Sequence, residues 1–288
     1  MHIPVLKEKV LEYLDPQPNQ HFIDCTAGGG GHAMAILERT APRGKVLAID
    51  WDREAISRLR ETSRFIPREG NFAQVKEIAN REKFQPVEGI LFDLGMSTTQ
   101  LEEGKRGFSF RPPAGGEPLD MRYSTQQPVT AEKLLNYSSK AQLERILKEY
   151  GEEQFAKQIA KAIVQTRAQK HIEKTSQLVQ IVEEATPKWY HRKKIHPATK
   201  TFQALRIAAN NELENLEQGL RGAAELISPN GKVVVISFHS LEDRIVKTFF
   251  KQEPSLKPFT KKPIVPTDTE IKKNPRARSA KLRVAIKL

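Results

Sequence analysis

A single cysteine, Cys25, stands in 288 residues. One thiol permits no internal disulfide and no cysteine metal cluster, and inside an apolar run it reads as a small core residue. Aromatic residues are few, at 7%, and no apolar run approaches the roughly 20 residues of a membrane span. The opening stretch MHIPVLKEKVLEYL is interrupted by charge and has no secretory-signal core. His171, His191 and His196 lack the grouping of metal ligands, so no metal is expected. Internal repeats and low-complexity segments are also missing. The expectation is a cytoplasmic, soluble protein of one or two domains, long enough to bury a sizeable core.

Positive charge is plentiful. The net charge is +12, and residues 251–288 carry eleven Lys and Arg against three acids. Such a bias suits a polyanion, most simply nucleic acid; the plain alternative is a solvated basic tail.

The most organised stretch is FIDCTAGGGGHAMAILERTAPRGKVLAID, residues 22–50. It reads as strand, glycine loop, helix and second strand. Gly28 to Gly31 lack Cβ atoms, so backbone N–H groups there can approach a ligand at a helix N-terminus. Asp50 ends the second strand about 20 residues later, where a carboxylate can accept hydrogen bonds from ribose hydroxyls. Gly28, Gly30 and Ala33 also satisfy a relaxed dinucleotide fingerprint. The loop alone therefore leaves S-adenosylmethionine, a dinucleotide and a plain structural turn all open.

Along the chain, Ile3–Leu14 reads as a helix, Arg53–Arg60 as another, Arg64–Ile66 as a weak strand before Phe72, and Gly89–Leu94 as a buried strand ending in Asp93. This alternation predicts a parallel α/β sheet whose carboxyl edge gathers Asp50, Phe72 and Asp93. A Gly/Pro/Arg-rich loop at 104–123 and a series of helical stripes follow, so residues 105–200 read as a helical insertion into a domain formed by 1–104 and 201–288. A long helix is expected over Thr199–Leu226, then a strong strand over Lys232–Phe238. Ser240 and Asp243 suit the N-cap and its third-residue partner of the next helix. The closing stretch places Leu282, Val284, Ile286 and Leu288 on one face and Lys281, Arg283 and Lys287 on the other.

Several stretches resemble one family closely: HIPVL at 2–6, DCTAGGGGH at 24–32, DLGMSTTQL at 93–101, RGFSF at 106–110, LDMR at 119–122, YGEE at 150–153, HPATKTFQALRIAANNEL at 196–213, FHSLEDRIVK at 238–247 and NPRARSAKLRV at 274–284. In order and over nearly the whole length, they are similar to the MraW family of bacterial methyltransferases, which use S-adenosylmethionine to modify N4 of a cytosine in 16S ribosomal RNA. Small departures are Met96 before Ser97-Thr98, Ala33 where serine is usual, and Thr175-Ser176 for a threonine pair. The resemblance implies a class I, Rossmann-like methyltransferase sheet with a helical substrate-recognition insertion. It also implies cofactor contacts at Gly30, Gly31, His32, Asp50, Phe72, Asp93 and Gln100, and a target in the decoding centre of the small ribosomal subunit.

An exocyclic amine with a delocalised lone pair needs a group that aligns it and accepts a proton. Asp93 is the first choice, with Asp120 and His239 as further choices. Asp120 has the bland alternative of bracing the insertion through Arg106 or Arg122, and His239 that of capping a strand end or meeting a phosphate. For RNA, the residues singled out are Lys200, Arg206, Arg244, Arg276 and Arg278 for phosphates, with Phe108 and Phe110 for stacking on an unpaired base. Either phenylalanine equally suits packing. Two competing functions are a small-molecule methyltransferase and a non-catalytic RNA-binding assembly factor that retains a cofactor pocket. A homodimer is left open.

Overall fold

The computed structural model describes residues 4–96, 105–109 and 115–288. The chain divides into two compact units, one of Met1–Ser97 with Leu213–Leu288 and one of Thr98–Glu212. Among the described residues, no helix is long and apolar enough to cross a membrane.

The first unit is built on a seven-stranded sheet in the order β3-β2-β1-β4-β5-β7-β6. Its strands are β1 (Phe22–Asp24), β2 (Val46–Asp50), β3 (Phe65–Glu69), β4 (Gly89–Asp93), β5 (Lys232–Ser237), β6 (Leu256–Pro258) and β7 (Lys281–Lys287). The first five pair in parallel, and β7 runs antiparallel to both β5 and β6. Alternate residues of each strand feed opposite faces. Ile90 and Phe92 of β4 join Val233 and Val235 of β5 in one core, while Leu91, Val234 and Ile236 enter the other. Both faces are apolar because both are covered, as a parallel sheet requires.

One layer contains α4 (Val75–Arg81), α10 (Glu212–Leu226) and α11 (Ser240–Gln252), through Ile78, Leu220 and Phe250 among others. The other contains α1 (Lys7–Leu14) and α2 (Gly31–Arg39), through Val10, Leu14 and Ile36. The expected helix over Arg53–Arg60 is only α3, Arg53–Ser57, which Asp52 opens by accepting the Glu54 N–H at 3.1 Å.

The second unit is helical: α5 (Ala131–Tyr137), α6 (Lys140–Glu149), α7 (Ala156–Arg167), α8 (Thr175–Ala185) and α9 (Thr199–Asn210). Leu143 and Leu147 of α6, Ile159 and Ile163 of α7, and Leu178 and Val182 of α8 are fully buried, so the stripes are packing faces. Ser139 and Gln142 form a capping box that starts α6.

One further expectation is corrected. The helix over Thr199–Leu226 is interrupted: Asn211 adopts the left-handed conformation, φ 48°, and ends α9 before α10 begins. Asparagine is one of the few side-chain-bearing residues that tolerates this region. On β7 two of the residues on the charged face are engaged within the unit. Arg283 is buried and its guanidinium donates to Asp243 at 2.7 and 3.2 Å, while Lys281 lies 3.3 Å from the same carboxylate.

Candidate functional site

The parallel strands of the first unit present their carboxyl ends along one edge, and the side chains that matter lie within a residue or two of those ends. β1 ends at Asp24, which is buried. The backbone then turns through Thr26, Gly28 and Gly30, the glycines at φ 48° and 78°. At Gly31 a Cβ would stand 2.5 Å from the Pro4 ring, so the loop is packed tightly on that side. At Gly29 a Cβ would meet nothing within 4 Å. The loop is braced on one side and open on the other.

The glycine N–H groups have different partners. Gly30 donates to the Ala27 carbonyl at 2.7 Å, and Gly28 donates to Asp50 Oδ2 at 2.7 Å. No side-chain cap receives the first N–H groups of α2, which begins at Gly31 and His32. Such a helix start suits an anionic group, the methionine carboxylate in the expected cofactor.

Four titratable groups surround this turn. Asp24 Oδ1 accepts the Thr26 N–H at 3.1 Å and lies 3.5 Å from its hydroxyl, and Thr26 Oγ1 accepts the Asp93 N–H at 2.7 Å. One threonine thus ties the end of β1 to the end of β4. Burial pushes the Asp24 carboxyl up to about 6, against the pull of His32 and the Thr26 N–H. Asp50 is likewise pushed up to about 6 by burial, although the N–H groups of Asp52 and Gly28 favour its charged form. Each of its oxygens already accepts a backbone N–H, at 2.8 and 2.7 Å. A carboxylate oxygen has a second lone pair, so a ribose hydroxyl can still be accepted.

His32 and Asp93 face each other at 3.6 Å, too far for a hydrogen bond. Both ring nitrogens of His32 and Asp93 Oδ1 are buried with no hydrogen-bond partner. Orphaned buried polar atoms are uncommon and costly, and three of them at a helix start mark where a polar ligand completes the site. Phe72, partly buried, follows β3 and meets Phe92 edge to face at 5.7 Å, backed by Gly219, where a Cβ would be 2.9 Å from its ring. Its position suits packing on an adenine. The residues present therefore fit S-adenosylmethionine. Gln100 and Phe110 lie outside the described residues.

His239 opens α11 as its N-cap: its ring accepts the Glu242 N–H at 3.4 Å, and Glu242 returns to the N–H groups of Phe238 and His239 at 2.7 and 3.2 Å. The cap and its partner are thus His239 and Glu242, one residue before the expected Ser240 and Asp243. Just before this helix Phe238 packs on Gly95, where a Cβ would be 2.7 Å from the ring, so position 95 is crowded against a larger residue.

Within the helical unit, Asp120 is held in two-pronged contact by Arg122, at 2.6 and 2.9 Å. Asn210 is fully buried and clamps the same turn, accepting the Tyr123 N–H at 2.8 Å and donating to the Met121 carbonyl at 2.7 Å. Phe108 is buried and stacked on Tyr123, centroids 5.6 Å apart at 15°, with Arg106 over it, so its ring packs the insertion and is no open platform for a base. Arg206 forms a two-pronged pair with Glu212, both contacts 2.8 Å, and Lys200 donates to the Glu152 carbonyl at 2.7 Å. In the sheet unit Arg244 and Arg278 are exposed and Arg276 is half-buried.

Sequence reasoning missed Asp24 and Thr26. Their signal was present: an acid closing the first strand two residues ahead of a hydroxyl, immediately before the glycines.

The chain is 46% identical to the ribosomal RNA small subunit methyltransferase H of Geobacter sulfurreducens, over all of this chain and 99% of that protein. It is 44% identical to the protein of the same name from Heliobacterium modesticaldum, over all of this chain and 98% of that one. The Thermomicrobium roseum protein of that name is 46% identical, over 99% and 93%. The model of one methylase family matches residues 1–288 from end to end, and the chain belongs to that family, the MraW methylase family.

Proposed function

We propose that this S-adenosylmethionine-dependent methyltransferase modifies N4 of a cytosine in 16S ribosomal RNA, in the decoding centre of the small subunit. The observation that carries the reading is the unsatisfied pair at the carboxyl edge, His32 and Asp93, beside the uncapped start of α2. When bound, S-adenosylmethionine supplies an electrophilic methyl group on a sulfonium centre. The chain contributes position and charge. Gly31 and His32 offer N–H groups to a carboxylate, Asp50 accepts from ribose, and Phe72 packs against adenine.

Asp93 is the group that acts on the nucleophile. Its free Oδ1 can accept a hydrogen bond from an exocyclic amine, turning the lone pair toward the methyl group, and can take up the proton released afterwards. Thr26 accepts the Asp93 N–H and so holds the backbone from which the carboxylate projects. The target cytosine must leave its stack to reach this edge. Exposed Arg278 of the basic carboxyl-terminal segment suits a flanking phosphate, and the helical unit supplies substrate recognition.

The test maps methylated cytosines by mass spectrometry in small-subunit RNA from cells with and without the protein. One N4-methylated cytosine should lose its modification, and purified protein should restore it on isolated subunits or their RNA. An unchanged map removes the reading. Full rescue of the deletion strain by Asp93→Ala would favour a non-catalytic assembly role.

A further inference from the structure

The helical unit carries a patch that the reaction site does not use. From residue 185 to residue 211 the chain contains no acid, while Lys188, Arg192, Lys193 and Lys194 crowd into seven positions. Every residue from 188 to 195 except Tyr190 is exposed. Among the described residues, no carboxylate pairs with any of those four cations. Within this run stands Trp189, 54% exposed. An indole left so open to water is uncommon, and here it is held still.

The ring next to it is the anchor. Tyr190 is buried and its hydroxyl donates to the buried Glu153 carboxylate at 2.8 Å; Glu153 also accepts the Phe155 N–H at 2.9 Å. Phe155 meets Tyr190 at 5.0 Å and Trp189 at 5.8 Å, both edge to face. Thr186 holds His191 at 2.9 Å, and His196 lies 3.3 Å from Glu183, so the segment is also tied beside its two ends. The Lys193 ammonium sits 5.3 Å from the Trp189 ring centre and 4.8 Å from that of Tyr190. A fixed aromatic face among exposed cations that no carboxylate pairs with, among the described residues, is the chemistry of a stacking platform for an unpaired base whose phosphates flank it.

We propose that segment 187–195 is a docking shelf for single-stranded RNA, with a base stacked on Trp189 and adjacent phosphates held by Arg192, Lys193 and Lys194. The proposal rests on the RNA-methyltransferase reading and deepens it by assigning where unpaired substrate strand is held. Charge complementarity selects RNA over an apolar protein partner.

The test uses the full chain and a fluorescent single-stranded RNA 12-mer (roughly the length of one site), with the same strand annealed as a duplex for comparison. Trp189→Ala should bind the single strand about tenfold more weakly while leaving duplex binding nearly unchanged. The triple variant Arg192→Gln, Lys193→Gln, Lys194→Gln should reduce the slope of log affinity against log salt by about 2, near 0.7 for each phosphate no longer neutralised. Its side chains are exposed, so it keeps the test valid should Trp189→Ala melt early. Unchanged affinity and slope in both variants would overturn the shelf, as would an equal weakening on duplex. Loss of self-association by sedimentation with RNA affinity intact would overturn it in favour of a second copy of the chain. The underlying reading fails separately, on the wild-type protein alone, if that protein methylates no small-subunit RNA.

Discussion

The acids of the helical unit and those at the carboxyl edge of the sheet are used in opposite ways. In the helical unit Asp120 is clamped by Arg122, Glu212 by Arg206, and Glu153 takes the hydroxyl of Tyr190. At the carboxyl edge of the sheet, Asp24, Asp50 and Asp93 have no Lys or Arg partner among the described residues; the Asp24 and Asp50 carboxylates accept backbone N–H groups, and the Asp93 carboxylate faces His32. A carboxylate matched to a guanidinium has its lone pairs filled and its charge balanced; it fixes a loop. A carboxylate kept from cations retains charge and acceptor capacity for something that arrives later. The comparison therefore sets Asp93, the first choice in the sequence, apart from Asp120.

The largest effect should fall on Asp93. Asp93→Asn should lower the methyl-transfer rate on small-subunit RNA by about 10²–10⁴-fold, the range for losing a positioned proton acceptor, while the melting temperature stays close to wild type. Asp120→Asn should do the reverse. It should lower stability by about 1–3 kcal/mol, because a charge-assisted pair is broken and Arg122 is left without its partner, with turnover per folded molecule little altered. Urea titrations beside single-turnover rates check both. If Asp120→Asn abolished turnover at unchanged stability, the assignment of roles would invert.

The next effect tests the braced side of the glycine loop. In Gly31→Ala the new methyl would lie 2.5 Å from the Pro4 ring, which cannot rotate away. Overpacking of this kind costs about 1–3 kcal/mol, so the melting temperature and cofactor affinity should fall together. Gly29→Ala meets no neighbour, and should leave stability within about 1 kcal/mol of wild type while weakening cofactor binding. Calorimetric titration of both variants would show whether the open side is where the ligand lies.

Much of this was legible in the sequence. The strand-glycine-helix unit, the carboxyl-edge meeting of Asp50, Phe72 and Asp93, and the helical stripes all follow from residue type and period. What was not legible has physical reasons. The break at Asn211 depends on one backbone conformation that asparagine permits but does not require. The burial of Arg283 depends on Asp243, 40 residues away in sequence, and alternation alone cannot announce a buried ion pair. His239 replaced Ser240 as the cap because Glu242, at the third position after it, closes the box; the hydroxyl was the more familiar signal and the wrong one. Phe108 offered packing and stacking alike, and only the neighbouring Tyr123 decided between them.

The most diagnostic prediction concerns Asp24. Burial raises its carboxyl from 3.8 to about 6, so between these values the folded chain binds a proton that the unfolded chain has released. Stability then falls as pH rises through this window, and above about 6 the full penalty of an ionised buried acid is present. Asp24→Asn cannot ionise, and its amide oxygen can still accept the Thr26 N–H. Without cofactor, the variant should match wild type near pH 4 and exceed it at pH 8 by up to about 3 kcal/mol, at 1.36 kcal/mol for each unit of raised pKa. The sulfonium of the cofactor is expected to offset the penalty of keeping this charge in the empty protein, so the same variant should bind S-adenosylmethionine more weakly at pH 8. Paired urea titrations at the two pH values, with and without cofactor, measure both differences. A variant no more stable than wild type at pH 8 would mean that folding does not raise the Asp24 pKa, and that its carboxylate stands ionised at the edge without penalty.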